Sequence, residues 1–500
     1  MEPLIFAALL SAIVLVIVFS RLRHRGPYPP GPPGLPLIGN ALQLPADKQW
    51  LKWDEWRREY GTCPRHIYSD RPPAVMAGEL VGWARGLGYT NGPPNQRFRE
   101  FRKLFHQFMG PRACAAPEFA GMQERETLRL LQKLLDSPKD FYDHCRTSTS
   151  STILLMSYGY STANGDPLQL VKIAEDAMDG FSKASEPGWL VDSVPILKHV
   201  PAWFPGASFQ RTAQAMRREL DRLYDVPLAF VKGEMAKGTA KPSFLSSNLE
   251  TKKEQGASTQ EDLLKAAAGS LYSGAHFPLC TTPSALTSFI LAMVLHPEIQ
   301  ARAQAEVDAI CLAHGRMPQI ADRSSLPYVD AVVKEVWRWN PSVPLGLPHM
   351  ANADDVYRGW RVEKGTVVWA NIWSILHDET VFPDPFAFRP ERYLNGNSAL
   401  KSTGEDPNEV VQVAFGVGRR ICPGMYLGDQ AVFIAICSIL FSFDIEKAKD
   451  EAGHPITPVV NYGGFISHPK PFQCSIRPRS GPAEEIVQRA LEELAAGEGA

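Results

Sequence analysis

One cysteine of this chain stands in a short segment that is rich in glycine and arginine, Phe415 to Gly424 (FGVGRRICPG). The glycines permit backbone conformations that a side chain would forbid, so the segment predicts a tight loop. Arg419 and Arg420 would stabilise a negative charge on the Cys422 sulfur, and the apolar run Met425 to Phe443 predicts a helix whose first amides point at it. A thiolate in this loop could hold a metal ion. A buried free cysteine in a glycine turn is the alternative.

The spacing of this segment, F-x-x-G-x-R-x-C-x-G, resembles the haem-binding loop of the cytochrome P450 superfamily. The matching residues are Phe415, Gly418, Arg420, Cys422 and Gly424. The resemblance implies haem b as the cofactor, with the Cys422 thiolate as the axial iron ligand and the other four residues contributing to the cofactor site. It also implies a mainly α-helical fold with a small β region, in which a helical domain and a small β-sheet domain enclose a buried haem.

Composition excludes some other classes of protein. The chain has 500 residues, of which 44% are hydrophobic, and this is enough for a large core. A formal net charge of -2 gives no electrostatic reason to expect a nucleic acid as partner. Eight cysteines are spread along the chain without C-x-x-C pairs, which is typical of reduced thiols in a protein that faces the cytosol.

The N-terminal region contains an uncharged apolar run, Leu4 to Ser20, at the short end of the about 17–25 residues that cross a bilayer as a helix. A cleaved signal peptide is the alternative, but no small-residue cleavage site follows the run and no cationic segment precedes it. Arg21, Arg23 and Arg25 come directly after it and should stay on the cytoplasmic side. We therefore expect a single-pass anchor over residues 1–20, with membrane lipid as a partner.

The rest of the chain divides by composition. The stretch Pro27 to Pro36 is too rich in proline for a helix and predicts a stiff, extended tether within residues 21–45. Residues 46–480 form the predicted haem-thiolate catalytic domain, and residues 481–500 form an acidic tail. By resemblance to fungal microsomal members of the superfamily, the catalytic body faces the cytosol from the endoplasmic reticulum membrane.

A basic helix is predicted over Gln96 to Phe105. It resembles the helix of the superfamily that reaches the haem propionates with a W-R-x-x-R-K pattern, with Phe98 at the tryptophan position. Arg99, Arg102 and Lys103 match that pattern, so Arg102 is expected to contact a propionate through a charge-assisted hydrogen bond. A solvated charged face on a surface helix is the alternative.

A second helix, opened by Leu326-Pro327 and closed by Asn340, carries Glu335 and Arg338 three residues apart on one face. It resembles the E-x-x-R motif of the superfamily, which implies a structural, non-catalytic triad with Arg392. His349 falls where the family places a propionate-binding arginine or histidine. Taken alone, His349 would be interpreted as a surface histidine.

The segment Glu261 to His296 predicts one long helix. In the superfamily this helix carries an acid and a threonine above the iron, where they deliver protons to bound oxygen, so Thr281 and Thr282 are the candidate catalytic residues. His276 to Cys280 stands where the family has a single aspartate, so the chain lacks the acid and carries four additional residues. Pro278 predicts a kink or a loop.

Three explanations of this departure stay open. They are an incorrect exon boundary in the gene model, a rearrangement in which His276 carries the proton, and a protein that binds haem without coupling oxygen reduction to substrate oxidation. Two strands and a short helix that the family has after Gly61 are also missing, which favours the first explanation and leaves a sheet edge unpaired.

The predicted function is that of a haem-thiolate monooxygenase, which inserts one atom of O2 into a small apolar substrate, a secondary metabolite or a foreign aromatic compound. No Rossmann or flavin fingerprint is visible, so electrons from NADPH would come from a separate flavoprotein reductase. The alternatives are a haem-thiolate isomerase, dehydratase or peroxide-driven enzyme, a haem-binding protein of low activity, and an anchored scaffold without a cofactor.

Overall fold

Helices dominate the computed structural model, which describes residues 27–34, 40, 43–45, 47–60, 68–92, 95–163, 165–186, 188–253, 261–276, 281–394, 406–464 and 466–498. In chain order the α-helices are α1 (Gln49–Tyr60), α2 (Gln96–Met109), α3 (Pro111–Cys114), α4 (Pro117–Asp136), α5 (Phe141–Tyr158), α6 (Leu170–Ser185), α7 (Leu190–Ser193), α8 (Ser208–Lys237), α9 (Phe244–Lys253), α10 (Glu261–His276), α11 (Thr281–Leu295), α12 (Pro297–His314), α13 (Pro327–Trp339), α14 (Ile372–Leu376), α15 (Pro407–Val410), α16 (Met425–Ser442) and α17 (Pro482–Glu498).

Short strands form the β region. The strands are β1 (His349–Met350), β2 (Asp355–Tyr357), β3 (Trp360–Val362), β4 (Val367–Val368), β5 (Phe443–Lys447), β6 (Tyr462–Gly463), β7 (His468–Pro469) and β8 (Cys474–Pro478). Within the described residues they make four antiparallel pairs, β1 with β4, β2 with β3, β5 with β8 and β6 with β7. The free side of β1 carries one isolated bridge, between Met350 and Asp70. The fold is therefore mainly α-helical with small sheets, as predicted.

Two hydrophobic cores hold these elements together. One core joins α11, α13 and α16 to the pair β5–β8, and it includes Phe289 and Phe433. The other joins α2, α5, α6, α8 and α10, and it includes Phe101 and Tyr272. The predicted long helix thus consists of two described helices, α10 and α11, whose residues belong to different cores. The predicted kink at Pro278 lies outside the described residues, and so do the residues that follow Gly61.

A buried ionic cluster fixes the side of the first core next to α13. Glu335 Oε2 accepts a hydrogen bond from Arg338 Nε at 2.7 Å, and Glu335 Oε1 accepts one from Arg392 Nε at 3.3 Å. Glu335 and Arg338 are fully buried, and Arg392 also donates to the carbonyl oxygen of Asp384 at 2.6 Å. The predicted triad is confirmed. Its arginines are satisfied by Glu335 and by backbone carbonyls, as buried charges must be.

Two further helices bear on the sequence predictions. Within the part of the chain that the structure describes, α16 is the one helix long and apolar enough to cross a membrane, and most of its residues are buried in the protein. It is a core helix, since its apolar residues surround its whole circumference. Residues 1–20, where the anchor is predicted, lie outside the described residues. In the acidic C-terminal stretch, α17 buries Ile486 and Val487 in the first core.

Candidate active site

A cavity of about 420 Å³ lies where the two cores meet. Its wall takes residues from the segment 83–89, from α2, α6, α10 and α11, and from the glycine-rich loop before α16. The predicted site residues that line it are Arg102, Thr281, Thr282, His349, Phe415, Arg420, Cys422 and Gly424. The structure thus brings together residues that are separated by more than 300 positions in the chain.

The glycine-rich loop presents Cys422 to this cavity. Cys422 N donates to Phe415 O at 2.8 Å, which closes the loop, and Ile421 N donates to Gly418 O at 3.2 Å. The loop turns through left-handed backbone at Gly416 (φ 89°) and Gly418 (φ 60°), a conformation that side chains disfavour. Gly418 is exposed and is not among the described residues of the cavity wall, so it shapes the loop without facing the cavity.

The Cys422 thiol is accessible from the cavity but enclosed by the protein. This enclosure raises the pKa of the thiol, while a hydrogen bond from the Gly424 amide and the charge of Arg102 act in the opposite direction. The amide at the start of α16 therefore reaches the sulfur as predicted. The cation that acts on it is different, because Arg102 takes the role expected of Arg419 and Arg420.

The difference arises because the side chains of Arg419 and Arg420 have other surroundings than predicted. Arg419 is exposed, whereas Arg420 donates from Nε to Ser69 O at 2.7 Å and from Nη2 to Thr90 O at 2.6 Å. The Arg420 guanidinium also lies over the Phe98 ring, 4.4 Å from its centroid. Burial lowers the pKa of Arg420 to about 10, so it stays charged at neutral pH.

The other two predicted cofactor contacts also bond to backbone carbonyls. Arg102 Nη1 donates to Ile421 O at 2.7 Å, and this ties α2 to the cysteine loop. His349 Nδ1 lies 2.6 Å from Tyr68 O, so Nδ1 carries the proton and donates it. Burial lowers the pKa of His349, whereas a carboxylate beside the other ring nitrogen would raise it and would accept a hydrogen bond from Nε2 of the protonated ring. Arg102 and Arg420 both line the cavity, and no carboxylate of the described residues lies within ion-pair distance of either guanidinium group.

A third arginine, Arg71, lines the cavity and was missed by the sequence reasoning. It is 7% exposed and donates to the carbonyls of Gly88, Leu347 and Pro348 at 2.7–3.0 Å. Burial, together with the charge of Arg420, lowers the pKa of Arg71 to about 9. The sequence offers one signal for it. Arg71 stands directly before two prolines, and no acidic residue lies three or four positions away to pair with it on a helix.

Aromatic side chains form the wall between Arg71 and α6. The Trp83 and Phe181 rings meet edge to face with centroids 5.0 Å apart, and Tyr89 lies 5.9 Å from Phe181. The Tyr89 hydroxyl is 2.8 Å from Ser185 Oγ, so its polar end is satisfied within the protein. This part of the cavity offers an apolar, aromatic surface.

Thr281 and Thr282 reach the cavity at the start of α11. Ser342 Oγ donates to Thr281 O at 3.1 Å, which fixes the first turn of the helix. Among the described residues of the cavity wall there is no aspartate, glutamate or lysine. The acid that normally accompanies the threonine is therefore missing from that described wall. The side chain of His276, the alternative proton carrier, lies outside what the structure describes.

These features suit a metal-bearing ring with acidic substituents. A thiol faces the cavity, and a Cβ at Gly424 would lie 3.9 Å from Cys422 Sγ, in the space beside the sulfur. Guanidinium groups at the cavity wall that have no carboxylate partner among the described residues would pair with the acidic substituents of such a ring. The Cys422 loop, Arg102, Arg420 and His349 together fit haem b.

Comparison with known proteins agrees with this geometry. The family model for Cytochrome P450 matches residues 84–476. The chain is 42% identical to Cytochrome P450 monooxygenase 208 of Postia placenta, over 96% of both chains. It is 38% identical to Cytochrome P450 monooxygenase claR of Ampulloclitocybe clavipes, over 96% of this chain and 91% of that one. It is 35% identical to Tryptamine 4-monooxygenase of Psilocybe cyanescens, over 96% and 99%. The chain therefore belongs to the cytochrome P450 family, whose members are haem-dependent, oxygen-incorporating oxidoreductases.

Proposed function

We propose that this chain is a haem-thiolate monooxygenase that inserts one atom of O2 into an apolar organic substrate, with electrons supplied from NADPH by a separate flavoprotein reductase. The observation that carries the proposal is the Cys422 thiol at the wall of an internal cavity, beside guanidinium groups whose hydrogen bonds within the described residues go to backbone carbonyls. The fungal relatives named as monooxygenases support the same reaction class.

The roles of the residues follow from their positions. Cys422 is the proposed axial ligand, and the Gly424 amide donates a hydrogen bond to its sulfur. Arg102, Arg420 and His349 are the proposed partners of the two propionates. Haem, when bound, supplies the oxygen chemistry, which electron donation by a thiolate ligand favours.

Two more residues complete the site. Phe415 packs its ring 4.8 Å from that of Trp337, which orients the start of the cysteine loop, and Gly418 allows the loop to turn. Thr281 and Thr282 are the proposed groups that hold a proton at their hydroxyl oxygens on the α11 side of the cavity.

Substrate selection is proposed to rest on the aromatic wall. Trp83, Tyr89 and Phe181 would pack against an apolar, ring-containing molecule, either a secondary metabolite or a foreign aromatic compound. One relative is named for tryptamine, an amine. The described wall of this cavity offers no carboxylate to an ammonium group, so the same substrate is not expected here.

The cellular setting is proposed from the sequence and the family. Residues 1–20 would anchor the chain in the endoplasmic reticulum membrane, residues 21–45 would form the tether, and the catalytic domain would face the cytosol. The apolar run in Leu4 to Ser20 and the cations that follow it support this arrangement. The domain boundaries at residues 46–480 and 481–500 stay predictions.

A second candidate is a haem-thiolate enzyme that uses peroxide or catalyses an isomerisation or dehydration. The observation in its favour is that the described cavity wall near Thr281 and Thr282 contains no acid, because such reactions do not need a proton relay to iron-bound oxygen. A haem-binding protein of low activity is compatible with the same observation.

Carbon monoxide binding to the reduced protein tests the haem-thiolate site. We expect the red-shifted Soret band of a thiolate-ligated haem, and its loss in Cys422→Ser because an alkoxide is not formed at neutral pH. Cys474→Ser, which changes a cysteine outside the described cavity wall, should keep the band. If the wild-type protein lacks the band, the proposed function is wrong.

Turnover separates the two candidates. With a co-expressed reductase, the monooxygenase consumes NADPH and O2 and forms hydroxylated product from a panel of polycyclic aromatics, terpenoids and fatty acids. Product formation with peroxide but not with NADPH and reductase would favour the second candidate.

A further inference from the structure

Helix α11 carries Thr281 and Thr282 in its first turn, and apolar side chains lie on all sides of the helix. Residues 283–294 are all buried. A helix that is apolar all round presents no polar face to solvent, so apolar packing alone specifies its rotation about the helix axis poorly. The direction in which Thr282 points therefore depends on the few polar groups of α11 and on their partners.

Two serines of α11 bond to the hairpin that β6 and β7 form. Ser284 Oγ donates to Ser467 O at 2.6 Å. One turn further along the helix, the Tyr462 hydroxyl donates to Ser288 Oγ at 3.1 Å. Ser284, Ser288 and Ser467 are 0% exposed, so water does not compete for these bonds. Buried polar groups that are satisfied by one another make a core rigid and specify its arrangement, so the hairpin holds one face of α11 at two points.

A third contact joins the start of α11 to the same hairpin. Ser342, in the segment after α13, donates from Oγ to Thr281 O at 3.1 Å, and its own carbonyl accepts a hydrogen bond from Ser467 N at 2.7 Å. Asn340 Nδ2 donates to Ser467 Oγ at 3.4 Å. Hydrogen bonds thus connect the first turn of α11, the segment after α13 and the hairpin in a closed circuit.

The bonded serines and the cavity-lining residues stand on different sides of α11. Thr282 and Leu286 line the cavity that also contains the Cys422 thiol. Ser284 is two positions from each of them, and residues two apart on an α-helix point about 160° away from one another. Neither Ser284 nor Ser288 is among the described residues of the cavity wall. The serines therefore hold α11 from behind while Thr282 faces the cavity.

We propose that Ser284 and Ser288 are positioning residues, whose hydrogen bonds to the β6–β7 hairpin set the rotation of α11 and so keep the Thr282 hydroxyl at the cavity. This inference rests on the proposed function, in which that hydroxyl holds a proton, and it names the groups that control where the proton is held. The hydroxyls of Thr281 and Thr282 are the polar side-chain groups that the described part of α11 offers to the cavity, so the rotation of the helix decides whether they reach it.

Infrared spectroscopy of the reduced, carbon monoxide-bound protein tests this inference, because the C–O stretching frequency responds to hydroxyl groups beside the bound gas. A hydroxyl that donates to the oxygen end lowers the frequency, so Thr282→Val should raise it. We expect Ser284→Ala to raise it as well, because rotation of α11 moves the threonine hydroxyl away. Tyr462→Phe keeps the ring, removes the bond to Ser288 and should shift the frequency in the same direction.

A matched control separates rotation of the helix from the loss of a buried hydroxyl. Thr287 is 1% exposed, and its Oγ1 donates to Pro283 O at 2.8 Å, within α11. Thr287→Val therefore removes a buried hydroxyl from the same helix and leaves the bonds to the hairpin in place, so it should keep the wild-type frequency. The double variant Thr282→Val/Ser284→Ala should match Thr282→Val alone, because Ser284 acts through the threonine and the two effects are then not additive.

Four outcomes would overturn the inference. They are a wild-type frequency in both Ser284→Ala and Tyr462→Phe, a wild-type frequency in Thr282→Val, an equal shift in Thr287→Val, and a further shift in the double variant. Ser284 and Tyr462 lie on different elements, so the test does not depend on the folding of one variant. The red-shifted Soret band is recorded from the same samples. Its absence from the wild-type protein would refute the proposed function, whereas the four outcomes in samples that show the band would concern α11 alone.

Discussion

The spacing Glu-x-x-Arg recurs on several helices of this protein, and burial should make two of its occurrences, on α13 and on α8, energetically different. On α13, Arg338 Nε lies 2.7 Å from Glu335, and on α8, Arg222 Nη1 lies 2.8 Å from Glu219. The side chains of the first pair are 0% exposed, whereas those of Arg222 and Glu219 are 49% and 32% exposed. Replacing each glutamate by alanine removes the same charge from the same local geometry.

The size of the effect at Glu335 follows from its partners. Its carboxylate accepts two hydrogen bonds from Arg338, one from Arg392 Nε, one from the Arg389 amide at 2.8 Å and one from the Tyr393 hydroxyl at 3.3 Å. Glu335→Ala leaves two guanidinium groups buried without a counter-charge, which costs about 3–5 kcal/mol. Glu219→Ala breaks an exposed pair, which costs about 0–1 kcal/mol.

Urea unfolding of the haem-loaded variants, followed by circular dichroism, measures this difference. We expect a clearly lower midpoint for Glu335→Ala, with an unchanged slope, and a midpoint close to wild type for Glu219→Ala. Glu335→Gln keeps the shape and removes the charge, so it should destabilise nearly as much as the alanine variant. Equal midpoints for the alanine variants at positions 335 and 219 would refute the reasoning, because burial would then not decide the strength of the pair.

Two further predictions concern the rate of haem release and the stability of the protein at acidic pH. Arg420→Met should release haem to excess apomyoglobin at least about tenfold faster than wild type, which is the effect of losing one charge-assisted hydrogen bond. Arg419→Met, at the exposed neighbouring position, should release haem at the wild-type rate. Similar rates in the two variants would argue against a role of Arg420 at the cofactor. Burial, together with the charge of Arg338, lowers the pKa of His377 from 6.5 to about 3. Between these pH values the unfolded chain binds a proton at this histidine and the folded protein does not, so the free energy of unfolding falls as the pH drops from about 6.5 towards 3. His377→Gln should lose less stability than wild type across this window, and parallel pH profiles of the two proteins would contradict the assignment.

Local patterns in the sequence were sufficient for the parts of the site that depend on near neighbours. The glycines, the cysteine and the following apolar helix lie within a few residues of one another, so the Cys422 loop could be predicted from their order. The same holds for α2 with Arg102 and for α13 with Glu335 and Arg338, because helical periodicity puts each side chain on a known face.

Tertiary structure decided the rest, and the arginines show why. Arg419 and Arg420 are adjacent in the sequence, yet Arg420 turns to Ser69 and Thr90, which are 351 and 330 positions away, so its distance from the sulfur depends on long-range packing. Arg71 belongs to no local motif. Its position at the cavity wall depends on the backbone carbonyls of Gly88, Leu347 and Pro348, which accept its hydrogen bonds from distant parts of the chain. The sequence by itself determined that a thiol loop, a basic helix and a buried ion pair exist. Only the fold determined which cations face the cavity, because a side chain's electrostatic partners come from segments that the chain order does not place together.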